Sequence, residues 1–286
     1  MEAGGRVLSA TNLGYAYPSQ GFALHGVNFF VREGEAVGIL GRNGAGKTTL
    51  VRALSGLLAP SQGEVMLKDR PLQSYKKNEL YRTLGLVFQN PHDQVVEFRV
   101  LEDVLFGPKN IGIDPIKAKE RALHALKRVG LEGFEERSVR TLSFGEMKRL
   151  SIAGLLAMDP SVLILDEPTQ GLDPAGEVVV MRILKRLTKI SGIAVVVTTH
   201  NLDLAASFLD RVYLLDKGRV LAEGPSDSLL RDEALLKKAN LRLPYIGKPF
   251  SSLKRQKGLP SQEVPVTLKQ ARAFLKRRFP SNSNPT

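Results

Sequence analysis

The most informative stretch of this 286-residue chain is Gly41-Arg42-Asn43-Gly44-Ala45-Gly46-Lys47-Thr48, which we call the phosphate loop. It fits the pattern G-x-x-x-x-G-K-[ST] and lies between an apolar, strand-like run at residues 36–40 and a helical pattern at residues 49–54. In that setting the glycines let backbone N–H groups turn inward, and the helix presents the positive end of its dipole to the same anion. The alternative, a glycine-rich turn with a chance lysine, leaves the flanking strand and helix unexplained.

The side chains of the phosphate loop predict a site for a nucleotide and a metal ion. Lys47 is placed to reach the β and γ phosphates, and the hydroxyl of Thr48 is placed to bind Mg²⁺. The nucleotide-binding residues predicted from this segment are Gly41, Arg42, Asn43, Gly44, Ala45, Gly46, Lys47, Thr48 and Thr49.

The composition is that of a globular protein, with 43% hydrophobic and 24% charged residues. No apolar run approaches the roughly 18 residues of a membrane span, and no apolar signal region follows the first six residues. We therefore expect a cytoplasmic protein. The sequence has no cysteine, which excludes disulfides and thiolate metal sites.

The net charge of +12 is concentrated near the end of the chain. From Tyr245 onward there are nine Lys and Arg residues and one acidic residue, Glu263, so this segment holds +8 of the total. We therefore divide the chain into a mildly basic domain, residues 1–240, and a basic C-terminal extension, residues 241–286.

Apolar runs that alternate with helical patterns predict an α/β core. Residues 162–165 and 193–199 are rich in Val, Ile and Leu, as is typical of parallel strands covered on both faces. A predicted helix at about residues 175–190 lies between them. The other predicted strands are residues 6–13, 26–31, 63–67, 84–88, 211–216 and 218–222, of which the last two form a hairpin.

A helical pattern replaces the strands between residue 90 and about residue 158. Its clearest helix covers residues 116–129 and has Pro115 in its first turn, where proline is well tolerated. The pattern predicts a helical subdomain that is inserted into the α/β core directly after Gln89.

Asp166 and Glu167 follow the apolar run at residues 162–165 and supply carboxylates for the second half of the site. Because strand side chains alternate, the two are expected to point in different directions. Asp166 is then placed to face Mg²⁺, and Glu167 to reach the γ phosphate and polarise an attacking water. A solvated acidic strand end is the alternative interpretation.

Further motifs resemble those of the nucleotide-binding subunits of ABC transporters. Residues 142–146, Leu-Ser-Phe-Gly-Glu, are similar to that family's L-S-G-G-Q signature, and we call them the signature loop. The resemblance implies an α/β P-loop NTPase cassette with a RecA-like core, an antiparallel β subdomain and a helical subdomain, here followed by a short C-terminal extension. It also implies ATP and Mg²⁺ as cofactors and ATP hydrolysis as the activity.

The same resemblance implies roles for four individual residues. Gln89 resembles the Q-loop glutamine, which would ligate Mg²⁺ or the attacking water, and His200 resembles the switch histidine, which would hydrogen-bond the γ phosphate. Asp173 resembles the D-loop aspartate. Tyr17 resembles the aromatic residue that stacks on adenine, and Tyr15 competes for that role. The predicted catalytic set is therefore Glu167, His200 and Gln89, and the predicted Mg²⁺ set is Thr48, Gln89 and Asp166.

In that family the signature loop contacts ATP held by the opposite subunit. The resemblance therefore implies a dimer in which Ser143, Gly145 and Glu146 act in trans, with a second ABC ATPase subunit that is either identical or related. This sequence departs from the family pattern at Phe144 and Glu146, which replace a glycine and a glutamine and add bulk and charge at the closing interface.

Residues 89–94 and 102–108 are similar to the ATPases of energy-coupling factor transporters, including the cobalt and nickel type. This implies an ATPase on the cytoplasmic face of the cell membrane. Its partners would be a transmembrane coupling subunit, docked beside Asp93, Glu97 and Asp103, and a substrate-binding membrane subunit, and the cargo would be cobalt, nickel or a vitamin. The alternative is an ABC ATPase without a membrane partner, either regulatory or associated with nucleic acid.

The basic extension contains a predicted amphipathic helix at residues 266–279. Its predicted apolar face consists of Leu268, Ala271, Leu275 and Phe279. This helix could contact anionic lipid, nucleic acid or the second subunit of a dimer, or it could be exposed to solvent. We expect no nucleic acid, because aromatic residues that stack on bases are not interleaved with the basic ones.

Overall fold

The computed structural model describes residues 5–18, 21–257 and 264–278. Within these ranges the strands are β1 (Arg6–Tyr17), β2 (Gly21–Arg32), β3 (Ala36–Leu40), β4 (Gln62–Leu67), β5 (Arg70–Pro71), β6 (Leu84–Val87), β7 (Val162–Asp166), β8 (Ala194–Thr199), β9 (Arg211–Asp216) and β10 (Arg219–Pro225). The α-helices are α1 (Lys47–Leu54), α2 (Lys77–Thr83), α3 (Val100–Asn110), α4 (Pro115–Arg128), α5 (Phe144–Leu156), α6 (Pro174–Ser191), α7 (Leu202–Phe208), α8 (Ser226–Leu229), α9 (Glu233–Lys238), α10 (Gly247–Lys257) and α11 (Leu268–Arg278).

The larger sheet has the strand order β10-β9-β3-β8-β7-β6. Strands β9, β3, β8, β7 and β6 run parallel, and β10 pairs antiparallel with β9 as the predicted hairpin. Every residue of β3, β7 and β8 is buried, because the two faces of the sheet belong to two different apolar cores. In β7, Leu163 and Leu165 pack into one core, and Val162 and Ile164 pack into the other.

The smaller sheet is antiparallel, with the order β2-β1-β4-β5. Its inner face shares a core with α1 and with one face of the larger sheet. Leu8 and Leu24 of the small sheet, Leu50 of α1 and Ile39 of β3 are all fully buried in that core. The predicted α/β fold class with a separate antiparallel sheet is thus confirmed.

Helices α3, α4 and α5 lie within the predicted insertion and pack on one another. The predicted helix with proline in its first turn is α4, where the carboxylate of Asp114 accepts hydrogen bonds from the N–H groups of Ile116 and Lys117. Helix α5 also contacts β6 and so connects the helical region to the larger sheet.

The chain continues beyond β10 as helices α8 to α11. Val266, which precedes α11, is buried in the same core as Leu236 of α9. Over the part of the chain that the structure describes, no helix combines the length and the apolar character needed to cross a bilayer.

The predicted apolar face of the C-terminal helix is wrong in part. Ala271 is buried, but Leu268 and Leu275 are 58% and 46% exposed, and Phe279 lies outside the described residues. The buried aromatic residue is Phe274, whose ring packs edge-on against Phe250 of α10 at 5.2 Å. Leu268 and Leu275 lie at one edge of the apolar face of α11 and Phe274 lies at the other, and only the edge that packs against Phe250 of α10 is covered.

Candidate active site

The topology brings four predicted segments to one edge of the larger sheet. The phosphate loop follows β3, Asp166 ends β7, and His200 follows β8. Gln89 lies two residues beyond β6. Because parallel strands end on the same side, these residues meet at the carboxyl edge, where ligands bind in open α/β sheets.

The phosphate loop is braced from outside. The N–H of Gly218, at the β9–β10 turn, donates to the Ala45 carbonyl at 2.9 Å, and the Gly218 carbonyl accepts from the N–H of His25 at 2.9 Å. Gly46 has φ 101°, and a Cβ there would lie 3.0 Å from the Ala23 carbonyl oxygen. Only glycine fits this turn without strain. The two hydrogen bonds of Gly218 connect the loop to the neighbouring strands and fix its backbone.

A cleft of about 630 Å³ opens beside the phosphate loop. Among the predicted residues that line it are Tyr17, Lys47, Thr48, Gln89, Glu167 and His200. The hydroxyl of Tyr17 lies 3.3 Å from that of Thr49, whereas Tyr15 packs on the Tyr17 ring and on the core beneath the small sheet. The structure therefore places Tyr17, rather than Tyr15, on the cleft.

Lys47 lies between the phosphate loop and Glu167. Its Nζ donates to the carbonyl of Gly41 at 2.9 Å and of Arg42 at 3.3 Å, and it lies 3.5 Å from Glu167 Oε1. Only 7% of Lys47 is exposed, so its charge acts in surroundings where electrostatic interactions are stronger than in water.

Thr48 and Asp166 present adjacent oxygen atoms at the edge of the sheet. The Thr48 hydroxyl donates to Asp166 Oδ2 at 2.9 Å, and the Thr198 hydroxyl donates to Asp166 Oδ1 at 2.5 Å. A hydroxyl beside a carboxylate suits Mg²⁺, which prefers oxygen ligands and usually binds one or two carboxylates plus substrate phosphates. No cluster of three or more His, Asp or Glu side chains in the described ranges could hold a metal ion without such a substrate.

Glu167 is oriented by its backbone and by two neighbours. Its φ of 47° lies in the left-handed region, which is uncommon for a non-glycine residue and typical of strained functional positions. The N–H of Glu167 donates to the Thr198 hydroxyl at 2.9 Å, and Oε2 lies 3.0 Å from His200 Nδ1. The buried carboxylate therefore faces a lysine on one side and an imidazole on the other.

The signature loop starts helix α5. The Ser143 hydroxyl accepts from the N–H of Glu146 at 3.3 Å, and Glu146 Oε2 accepts from the N–H of Ser143 at 2.7 Å. In this capping box the Glu146 carboxylate does what a glutamine side chain would also do, and the hydrogen bond from Ser143 N–H holds the pKa of Glu146 below its usual value. Neither Ser143, Gly145 nor Glu146 lines the described cleft.

Phe144 packs against the segment that carries Asp173. A Cβ on Gly171 would lie 2.9 Å from the Phe144 ring, and the ring of His92 lies 6.4 Å from that of Phe144. Asp173 caps helix α6 by accepting from the N–H of Gly176 at 2.7 Å. The added bulk at Phe144 therefore has a specific neighbour within the same chain.

Sequence reasoning missed Lys148 and Thr198. Thr198 is fully buried and hydrogen-bonds both Asp166 and Glu167. Lys148 is 1% exposed, and its burial lowers the pKa to about 8 even though the carboxylates of Asp166 and Glu167 act in the opposite direction. The available signal was helical spacing, since Lys148 shares a face with the buried Ile152 four residues later.

Comparison with known proteins agrees with this geometry. The family described as ABC transporter matches residues 24–170. The chain is 43% identical to the energy-coupling factor transporter ATP-binding protein of Methanocaldococcus jannaschii, over 89% of this chain and 91% of that protein.

Two solved structures are also similar. CbiO1 of Clostridium perfringens, described as part of the ABC transporter complex cbiONQ, is 37% identical, with a TM-score of 0.75 over 86% of this chain and 99% of that one. An ATP-binding cassette solved as a dimer bound to ADP and phosphate is 30% identical, with a TM-score of 0.68 over 77% of this chain and 98% of that one. With this fold, this site and these similarities, the chain belongs to the ABC transporter family, as an ATP-binding cassette that hydrolyses ATP.

Proposed function

We propose that the cleft binds ATP with Mg²⁺ and that this chain powers import across the cell membrane as an energy-coupling factor ATPase. The phosphates lie against the N–H groups of the phosphate loop, with Lys47 beside the β and γ phosphates and Tyr17 against the adenine. Thr48, Asp166 and Gln89 would hold Mg²⁺. When bound, the ion offsets the negative charge of the β and γ phosphates.

Glu167 performs the proton transfer of hydrolysis. The observation that carries this role is its buried carboxylate, held between Lys47 and His200 at the edge of the cleft. A water attacks the γ phosphorus, its proton passes to Glu167, the bond to the β-phosphate oxygen breaks, and ADP and phosphate leave. His200 keeps the Glu167 carboxylate aimed at that water and contacts the γ phosphate.

The functional unit is a dimer, identical or heteromeric. Ser143 and Gly145 stand at the start of α5, away from the cleft of their own chain, and are available to a second subunit's γ phosphate. The similar cassette solved as a dimer with ADP and phosphate supports this arrangement. In the closed dimer, Asp173 lies near the same interface and Glu146 keeps Ser143 in place through the capping box.

Replacing Phe144 by glycine tests the trans role of the signature loop. Phe144 lies outside the cleft beside the phosphate loop and lines an adjoining cavity with Thr48, Gln89 and Asp166. We expect the Mg²⁺-free ATP affinity of the monomer to stay within about twofold, while turnover of the dimer changes by severalfold or more. Nucleotide titration at low protein concentration measures the affinity of the monomer, and steady-state ATPase assays at high protein concentration measure the turnover of the dimer. A large loss of affinity in the monomer would contradict the trans assignment.

An apolar groove of about 420 Å³ lies between the larger sheet and the helical region. Its wall includes Leu57, Tyr81, Val96 and Phe106, all of which are at least 43% exposed. Exposed apolar surface in a groove of this size is typical of a docking site, here for the transmembrane coupling subunit.

The acidic residues beside the groove do not act alike. Asp103 Oδ1 accepts from the N–H groups of Val96 and Glu97, and burial raises its pKa above the usual value. Asp103 therefore shapes the groove, whereas Asp93 and Glu97 are exposed and face arginines of the partner. Asp93 Oδ1 also accepts from the side-chain amide of Asn90 at 3.2 Å.

Replacing Phe106 by glutamate tests the membrane role. In cells that co-express a coupling subunit and a substrate-binding membrane subunit of the energy-coupling factor type, the wild-type chain should co-purify with both. We expect Phe106→Glu to lose them and keep ATP hydrolysis within about twofold of wild type, because a buried charge opposes apolar docking and the groove lies outside the ATP cleft.

The matched control is Ile116→Glu, which changes a residue that is 73% exposed on another face of the helical region. It should retain the membrane subunits. Recovery of the wild-type chain with nucleic acid and without membrane subunits would favour the alternative, an ABC ATPase with no membrane partner. The cargo, cobalt, nickel or a vitamin, is then assigned from transport by the purified complex.

A further inference from the structure

Lys148 is a charged side chain almost fully enclosed by the protein. It lies on the second turn of α5, and only 1% of its surface is exposed. Lysine is rarely buried, because its ammonium group loses hydration unless other groups replace the water. The partners that replace water here therefore show what holds this side chain in place.

Two backbone carbonyls from different parts of the chain accept hydrogen bonds from Lys148. Nζ donates to the carbonyl of Gln89, beyond β6, and to the carbonyl of Glu167 at 3.3 Å, beyond β7. Nζ also lies 5.6 Å from the centre of the Phe144 ring on its own helix. One ammonium group thus connects the signature helix with two residues of the proposed catalytic set.

The two carbonyls belong to a small network that sets the position of Glu167. The Glu167 carbonyl also accepts from the N–H of Gln170 at 3.1 Å, and the side-chain amide of Gln89 donates to the side-chain oxygen of Gln170. Glu167 is held in the left-handed region, so its carboxylate direction depends on these backbone contacts. A shift of Lys148 would move Gln89 and Glu167 together.

We propose that Lys148 is a positioning residue that ties helix α5 to the backbone of Gln89 and Glu167. A displacement of the helical region, imposed by a partner in the groove or by the second subunit, then reaches the Glu167 carboxylate through this ammonium group. Lys148 does not line the cleft, so it acts on hydrolysis through Glu167 and Gln89 and makes no contact with ATP. This inference rests on the proposed roles of those two residues.

The test compares Lys148→Met with a matched control on the same helix. Methionine keeps the length and the apolar stem and removes the donors. Arg149→Met removes a neighbouring cation, whose Nη1 donates to the carbonyls of Val129 and Gly130 at 2.9 and 2.7 Å, away from Gln89 and Glu167. Its charge also acts on Glu146, which the Ser143 N–H holds in place in the variant as well. Both variants lose two hydrogen bonds from a long side chain to backbone carbonyls, and thermal denaturation of each variant measures how far the loss affects the fold.

The kinetic constants of the two variants show whether Lys148 positions the catalytic residues or only stabilises the fold. We expect Lys148→Met to lower kcat by about 10- to 100-fold with KM for ATP within about threefold, as for a misplaced catalytic group. Arg149→Met should leave both constants within about twofold. If Lys148→Met does not give folded protein, Lys148→Gln carries the same expectation, because its shorter side chain cannot reach both carbonyls.

Two outcomes overturn the proposal: a kcat for the Lys148 variant within about twofold of wild type, or a parallel loss in both variants. Glu167→Gln is assayed in the same experiment, so that failure of the proposed role of Glu167 can be distinguished from failure of the proposed role of Lys148. If that variant hydrolyses ATP normally, the proposed role of Glu167 is wrong. If it is inactive while Lys148→Met is active, only the positioning role is lost.

Discussion

ATP hydrolysis is expected to fall by about 100- to 10,000-fold in Glu167→Gln, while ATP binding is retained. The carboxamide has nearly the shape of the carboxylate but cannot take the proton of the attacking water. It also removes a negative charge that lies 3.5 Å from Lys47 Nζ, which leaves this lysine more available to the phosphates. ATP should therefore bind at least as tightly as in the wild type.

The same variant should accumulate as an ATP-bound dimer, because the step that opens the dimer is blocked. Steady-state phosphate release measures the first effect, and light scattering with and without ATP measures the second. Glu79→Gln is the control, since Glu79 is exposed and pairs with Arg70 at the surface. Phosphate release at the wild-type rate from Glu167→Gln would remove Glu167 from its role.

ATP affinity is expected to fall by about 100-fold or more in Lys47→Met, since losing one partner of a buried charge pair costs about 2–5 kcal/mol. Lys47 is 7% exposed and its ammonium group points along the inside of the phosphate loop. Methionine fills the same space but leaves the phosphates and the Glu167 carboxylate without their shared cation. Titration calorimetry with ATP measures the loss directly.

Lys127→Met serves as the control for this change. Lys127 is 66% exposed and pairs with Glu132 at the surface, where an ion pair contributes about 0–1 kcal/mol. Its ATP affinity should equal that of the wild type. An unchanged affinity in Lys47→Met would contradict the assignment of the cleft as the ATP site, because no other buried lysine lines it among the described residues.

Prediction from the residues succeeded where local pattern and topology agree. The phosphate loop is recognisable because its glycines, lysine and threonine occupy fixed positions between a strand and a helix. Asp166, Glu167 and His200 could be placed near it because they end buried strands, and parallel strands of one sheet end on the same side. The family motifs supplied Gln89 and Asp173, which local chemistry does not distinguish from ordinary polar residues.

Prediction was incomplete where a residue's partners come from distant elements. In the sequence, Lys148 is not distinguishable from other basic residues on helices. It is buried because α5 packs against the ends of β6 and β7. Glu146 completes the cap of its own helix through the Ser143 N–H, a role that the comparison with the family signature did not indicate. Asp103 Oδ1 accepts from two backbone N–H groups, contacts that the sequence pattern did not indicate.

The C-terminal helix is a second case in which contacts with a distant element could not be predicted from the sequence. Its periodicity determined that a helix forms, because alternating stripes of apolar and basic residues recur at helical spacing. Burial of the Phe274 edge of this apolar face, rather than the Leu268 edge, depends on Phe250, which lies on another helix.

The residue pattern therefore determined the α/β fold class, the phosphate loop and the carboxylates that accompany it, since these depend on short-range spacing and on strand direction. The tertiary structure decided which charges are buried, which cations share a carboxylate and which edge of an apolar helix face is covered. These properties depend on groups far apart in the chain, and their energies are set by the surroundings that folding creates.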